Sequence, residues 1–489
     1  MLWRSADGFS IYRERFSLTH KQYDIAVIGG GTAGLMAAEF GAQFGAKVAL
    51  VEAQRLGGEC LWTGCVPSKA LLAAAKAAHT TREAARFGVH VGDVTIDFAA
   101  VMHYVHHSMD TIYHQDSRAI WESQSIDVHQ ARAQFTDAHT LSLDNGDTLR
   151  AKYIVIATGS RPQIPEALQD IPYLTSETLF DLTELPRRLA IIGGGPIGTE
   201  MAQAFTRLGA QVTVIEQQAR LLPSEDADAA AMIAECLERE GVTFRFNTSV
   251  EQATETDGVV TLHLQNGDVV ESDAVLIAIG KRPNIDKLNL AAAGVDVRDG
   301  RLVVNDKLRT SQAHIYAAGD VTDGLQFTHY AGWQAYQVIR NMLFPLSAKG
   351  VMETVPHTTF TDPEIAQAGL TEAQARAKYG DKVQVTHLSM SHTDRAVIEG
   401  TTDGFMKIIH KGNGKLVGAT IVGANAGEMI NEWAGVIEKN GWVWHVITKM
   451  HVYPTFGAAN VMLGMMQFRK QFADGIIGAV VRRIARFAL

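Results

Sequence analysis

Tyr23-Asp24-Ile25-Ala26-Val27-Ile28-Gly29-Gly30-Gly31-Thr32-Ala33-Gly34 runs from an apolar strand signature straight into a glycine loop. The continuous apolar run before Gly29 suits a parallel strand covered on both faces. The loop has the form GxGxxG. A helix is expected next, through Leu35, Met36 and Phe40, with Gly45 at its C′ position. Residues 47–51 read as a second strand, and Glu52 stands at its end. Together they make one βαβ unit with an acid at the tip of the second strand.

The arrangement recurs over residues 189–216, with Gly193-Gly194-Gly195-Pro196-Ile197-Gly198 as the loop. Gly29 and Gly193, Gly45 and Gly209, and Glu52 and Glu216 are each 164 positions apart. One glycine loop is weak evidence. Two copies with matched spacing and matched acids point to two dinucleotide-binding units. Without Cβ atoms the backbone can approach a pyrophosphate, and the helix N-terminus offers free N–H groups. The acid accepts hydrogen bonds from ribose hydroxyls.

Between the loops lies Gly58-Glu59-Cys60-Leu61-Trp62-Thr63-Gly64-Cys65-Val66-Pro67-Ser68-Lys69, which holds two of the 3 cysteines. A chain of 489 residues needs no local staple to hold its core. A close cysteine pair beside two nucleotide sites instead points to electron flow from a nucleotide to sulfur. The alanine-rich run after Pro67 predicts a helix whose positive end lies near the pair and favours a thiolate.

Length predicts about three domains. Apolar residues make up 46% of the chain and charged residues 20%, an ordinary globular balance. A net charge of −9 lacks the basic footprint of a nucleic-acid binder. The first 22 residues show no apolar signal-peptide region, no run reaches membrane-spanning length, and a reducing cytoplasm is the expected compartment. Strand-then-glycine runs at 154–159 and 275–280 are expected to mark sheet edges. A third, ending in Gly319-Asp320, is expected to return the chain to the first nucleotide domain. Beyond Val351 the texture becomes that of an antiparallel sheet with helices.

Taken together, the cysteine segment, both loops, Ala157-Thr158-Gly159, Gly319-Asp320 and Thr361-Asp362-Pro363-Glu364 resemble the class I flavoprotein disulfide reductases. The resemblance spans about residues 23–471. It implies an α/β fold with two Rossmann-like domains, for FAD and NAD(P), and a C-terminal α+β dimerisation domain. The implied layout is an extension at 1–22, FAD domain at 23–165 and 289–350, and NAD(P) domain at 166–288. The dimerisation domain follows at 351–471 and a basic tail at 472–489. FAD would be held through Gly29, Gly31, Thr32, Ala33, Gly34, Glu52, Gly58, Thr158, Gly159, Gly319 and Asp320. The nicotinamide dinucleotide would be held through Gly193, Gly195, Pro196, Ile197, Gly198, Glu216 and Gly280. Cys65 would face the flavin and Cys60 the acceptor. Lys69 would lie beside the flavin with Glu200 as its ionic partner. A homodimer is implied. Glu216 favours NADH over NADPH by repelling a 2′-phosphate, although Arg220 stands close enough to oppose this.

The pattern breaks near the C-terminus. Where dihydrolipoyl and glutathione reductases carry His-Pro-Thr-x-x-Glu, this chain reads Tyr453-Pro454-Thr455-Phe456-Gly457-Ala458. A phenol is a poor base at neutral pH. His451 stands two residues earlier without a demonstrable role. Mercuric reductases also place tyrosine at this point, yet they add a C-terminal cysteine pair, and no cysteine follows Cys236 here. The expected acceptor is therefore a metal ion, a small disulfide or a related oxidant. The alternatives are a dihydrolipoyl dehydrogenase and a diaphorase or quinone reductase with idle cysteines.

Trp62 replaces the usual asparagine, either to narrow access or simply to pack. Cys236 falls on an apolar helical face with Met232, Ile233 and Leu237 and is expected to be inert. His103 and His107, near His106 and His114, have i, i+4 spacing for a metal but read as a solvated face. The basic amphipathic stretch 475–489 is expected to dock on the protein or its dimer mate, with an anionic membrane surface as the alternative.

Overall fold

The computed structural model describes residues 21–322, 324–345, 347–473, 478–480 and 482–484. Residues 1–20 and most of the basic tail lie outside this set, so the readings of the N-terminal extension and the tail fall largely beyond it.

The first sheet has seven strands. Lys21–Ile28 lies at its centre, parallel to Val48–Glu52 on one side and Thr148–Ile156 on the other. Ile126–Gln130 extends the sheet beyond Val48–Glu52. Ile25, Ala26 and Val27 are fully buried, as their unbroken apolar run requires. The two helices Thr32–Gln43 and Thr328–Leu343 pack against each other. Ile315–Ala317 pairs in parallel with Thr148–Ile156, so the third strand-glycine run does return to the first domain. The run at 154–159 departs from its expected edge position. Ile154, Val155 and Ile156 are flanked by the first strand on one side and by Ile315–Ala317 on the other. Their lack of polar residues reflects burial on all sides, not an edge.

The second sheet is parallel, in the order Thr243–Arg245, Gln211–Ile215, Arg188–Ile192, Ala274–Ile277. Ala274–Ile277 is at its edge, as expected. Ser160–Pro162 and Lys281–Pro283 pair antiparallel and join the two nucleotide units. Beyond them, five antiparallel strands from His357–Thr359 to Phe405–Lys411 and Val383–Ser389 form the last sheet, backed by the helix Ala426–Glu438. No helix among the described residues is long and apolar enough to cross a membrane.

Candidate functional site

One cavity of about 2020 Å³ runs between the two glycine loops and past the cysteine pair. It exceeds the roughly 300–1,000 Å³ of a single small-ligand site, as two dinucleotides require. Its walls include Gly29, Gly31, Thr32, Ala33, Glu52, Gly58, Cys60, Cys65, Lys69, Thr158, Gly159, Gly319 and Asp320. Gly193, Gly195, Pro196, Ile197, Glu200, Glu216 and Gly280 line it too. Gly34 and Gly198 sit behind their loops.

The two loops are built alike. Gly29 and Gly193 have φ of +109° and +108°. A Cβ at Gly29 would stand 2.2 Å from the Ala157 carbonyl oxygen, and one at Gly193 would stand 2.5 Å from that of Ala278. Each loop therefore lies hard against the next strand of its sheet. Gly29→Ala is expected to purify without bound flavin, which the visible absorption spectrum checks. Glu52 accepts hydrogen bonds from the amides of Gly30 (2.6 Å) and Gln54 (2.7 Å). Glu216 accepts from Gly194 (2.7 Å) and Gln218 (2.7 Å). Both acids fix their loop while lining the cavity. Asp320 accepts from the Ser160 hydroxyl at 3.2 Å, and burial raises its pKa against the nearby Lys281. Thr158 turns its hydroxyl to the Asn284 carbonyl, at 2.7 Å. This cradle of close-packed glycines, acids and helix N-termini after Gly31 and Gly195 fits a flavin dinucleotide on one side and a nicotinamide dinucleotide on the other.

Cys60 lies on the short helix Gly58–Trp62 and Cys65 at the first position of the helix Cys65–Arg82. That helix begins two residues before Pro67, earlier than expected. Pro67 is tolerated in the first turn because no intrahelical N–H is needed there. Both thiols are free, and Cys65 is exposed to the cavity it lines. Cys65 Sγ lies 3.1 Å from Thr328 Oγ1. A hydrogen bond from Cys60 lowers the Cys65 pKa, with Thr328 and Lys69 adding to it against burial. The same bond raises the pKa of Cys60. The two shifts are opposite in sign and favour the thiolate on Cys65 and the thiol on Cys60.

Lys69 Nζ stands 2.8 Å from Glu200 and 4.7 Å from the centre of the Phe360 ring. The second Glu200 oxygen accepts from the Phe360 amide at 2.9 Å. Glu59, beside Cys60, forms an ion pair with Lys281. Arg220 spends its guanidinium on the carbonyls of Leu221, Leu222, Pro223 and Glu225, at 2.8–3.3 Å. It is therefore committed to its own loop and absent from the cavity wall.

Tyr453 is not among the residues that line this cavity within one chain. It is 71% exposed, and its hydroxyl donates to Asp394 at 2.9 Å, which raises its pKa. His451 Nε2 lies 2.8 Å from Glu432, also outside the wall. Trp62 is buried, donates to the Leu56 carbonyl at 2.7 Å and packs on Tyr113, so it is a packing residue that also borders the cavity. Cys236 is buried beside Arg239, as expected of an inert thiol. His103 and His107 are exposed and join no metal-like group among the described residues. The group that does form, Asp228 with Glu372 and His387, already holds Lys407 Nζ at 2.7 and 3.1 Å. Sequence reasoning misses Thr328, Phe360 and Lys281 as site residues, because each reaches the cysteine segment from a distant part of the chain.

The pyridine nucleotide-disulphide oxidoreductase model matches residues 23–335, and its dimerisation-domain model matches residues 355–462. The chain belongs to this family. Its members depend on FAD and use pyridine nucleotides. Among relatives, the mercuric reductase of Lysinibacillus sphaericus is 34% identical over 420 residues, 84% of this chain and 77% of that protein. The dihydrolipoyl dehydrogenase of Geobacillus stearothermophilus is 33% identical over 452 residues, 90% and 96% of the two chains. A Cu(II) complex of the HOCl-induced flavoprotein disulfide reductase RclA from Escherichia coli superposes with a TM-score of 0.83 at 29% identity. The match covers 91% of this chain and 99% of that one. Identity near one third to two differently named enzymes fixes the disulfide reductase family and leaves the acceptor to the chemistry of the site.

Proposed function

We propose that this oxidoreductase takes electrons from NADH and delivers them through Cys65 and Cys60 to a metal ion, a small disulfide or a related oxidant. The observation that carries this is the thiol pair itself: Cys60 and Cys65, both free, line the wall of a cavity sized for two dinucleotides, and their opposed pKa shifts favour a thiolate on Cys65. Bound FAD would supply the two-electron exchange between nicotinamide and sulfur. Gly29, Gly31, Gly34, Glu52, Gly58 and Asp320 would hold it. Lys69, steadied by Glu200, keeps a positive charge beside the Cys65 thiolate. In the net exchange NADH gives up a hydride, and the Cys60–Cys65 disulfide becomes a Cys60 thiol and a Cys65 thiolate. The acceptor then takes two electrons, the Cys60 proton leaves, and the disulfide re-forms.

A metal ion or a small oxidant is favoured over dihydrolipoamide because Tyr453 and Ala458 stand where an acid–base pair would serve a dithiol. The site would be completed in a homodimer, whose dimerisation domain this chain carries. Acceptors are compared by NADH loss with Hg(II), Cu(II), oxidised lipoamide, glutathione disulfide and a quinone. Strong turnover with lipoamide and none with either metal would overturn the acceptor reading.

The preference for NADH rests on Glu216 and on Arg220. With Arg220 locked to four carbonyls, the ribose end keeps its carboxylate and gains no cation. NADH is expected to exceed NADPH in kcat/KM by about tenfold or more, as burying a second anion against a carboxylate predicts. Steady-state rates with both dinucleotides check it.

A further inference from the structure

A buried ion pair away from the cysteines joins three parts of the fold. His357 Nε2 lies 3.0 and 3.2 Å from the two Glu225 oxygens, and Nδ1 lies 2.9 Å from the Val355 carbonyl. Both ring nitrogens face acceptors, so the ring satisfies both only as an imidazolium that donates twice. Glu225 is 2% exposed and His357 18%. The ring also stacks on Phe327, with centroids 5.0 Å apart and planes 14° apart.

Each partner leads to a different half of the reaction site. On one side, Glu225 closes the loop 220–225. Arg220 ties that loop together through the Glu225 carbonyl at 2.9 Å, and the Leu222 amide donates to the Gly194 carbonyl at 2.8 Å. The loop is therefore seated on the second glycine loop. On the other side, Phe327 precedes Thr328, whose hydroxyl touches Cys65 Sγ at 3.1 Å. His357 itself lines the cavity. The pair fixes how the nicotinamide-binding loop stands relative to the sulfur.

We propose that His357 and Glu225 form a latch that positions the nicotinamide dinucleotide, His357 being a positioning residue for the second nucleotide site. This rests on the reading of that site as nicotinamide-binding. Glu225 is the charged group the ring touches. His329 stacks on Phe327 at 5.5 Å, and Asp226, beside Glu225, turns to Lys407 at 2.6 Å. Burial opposes protonation of His357, but the Glu225 hydrogen bond and charge outweigh it and raise its pKa. The latch is thus fully formed below the ordinary histidine value of about 6.5 and is lost as pH rises through the raised value.

The test is KM and kcat for NADH and NADPH between about pH 6 and 9 in the flavin-loaded parent, His357→Gln, Glu225→Gln and the double variant. In the parent, KM is expected to rise about tenfold across the titration, the scale of one charge-assisted hydrogen bond, with kcat nearly constant. Both single variants should show the raised KM at every pH, and the double variant should be no worse than either. A parental KM with its pH step intact in His357→Gln and Glu225→Gln would overturn the latch. A preference for NADPH would sink the cofactor choice instead, while leaving the step in place.

Discussion

Cys60→Ser is expected to lower acceptor-dependent NADH oxidation by about a thousandfold or more, because removing one member of a covalent relay removes the relay. Serine cannot form the disulfide, so no electron pair can be stored on sulfur. The fold should survive, since Cys60 sits in a short helix at the cavity wall and not in the core. Reduction of the bound flavin by NADH in a single anaerobic turnover should persist, and that rapid-reaction measurement separates a lost relay from a damaged nucleotide site. The Cys65 thiolate should also titrate at higher pH in this variant, as its largest lowering influence is the Cys60 hydrogen bond. Alkylation rate against pH reads this directly. Unchanged steady turnover in Cys60→Ser would mean that the flavin serves the acceptor directly, as in a diaphorase or quinone reductase.

The parts of this site that neighbouring residues dictate are legible in the sequence itself. A strand, a tight turn and a helix N-terminus are adjacent in the chain, so Gly29, Gly31 and Glu52 announce one nucleotide site and Gly193, Gly195 and Glu216 its copy. The cysteine pair is legible for the same reason. What escapes depends on pairings across the chain. Thr328 meets Cys65 across 263 positions, and Lys281 meets Glu59 across 222. No periodicity encodes either contact. Arg220 shows the limit from the other direction. Its position four residues past Glu216 suggests a phosphate ligand, whereas its guanidinium is bonded to four carbonyls of its own loop, which the spacing does not announce. The strand at 154–156 reads as an edge and is not one, because an apolar run reports burial but not the number of neighbours.

Lys407→Met is expected to cost about 3–5 kcal/mol of stability, the usual penalty for stripping the partner from a buried charge. Lys407 lies on the strand Phe405–Lys411 with its side chain 2% exposed. Its ammonium stands 2.6 Å from Asp226, 2.7 Å from Asp228 and 3.1 Å from Glu372. Asp226 is itself 2% exposed and caps the helix Ala227–Glu240, so the cluster ties the last sheet to the second nucleotide unit. Methionine fills the volume but leaves these carboxylates facing one another without a cation. Asp228 is 57% exposed, so Asp228→Asn should cost no more than about 1 kcal/mol, and the contrast isolates burial from mere pairing. The hydrogen bond from Lys407 lowers the Asp228 pKa, and Glu372 is held low, against its burial, by Arg376 and Lys407. Their contribution is present above the ordinary carboxylate values of about 3.9 and 4.3 and is lost as pH falls through the lowered ones. The gap between parent and Lys407→Met should therefore be widest near neutrality and narrow in acid, because protonation relieves the unpaired carboxylates. Urea unfolding at neutral and acid pH measures it. A Lys407→Met variant within about 1 kcal/mol of the parent at neutral pH would mean that water reaches the cluster and screens it.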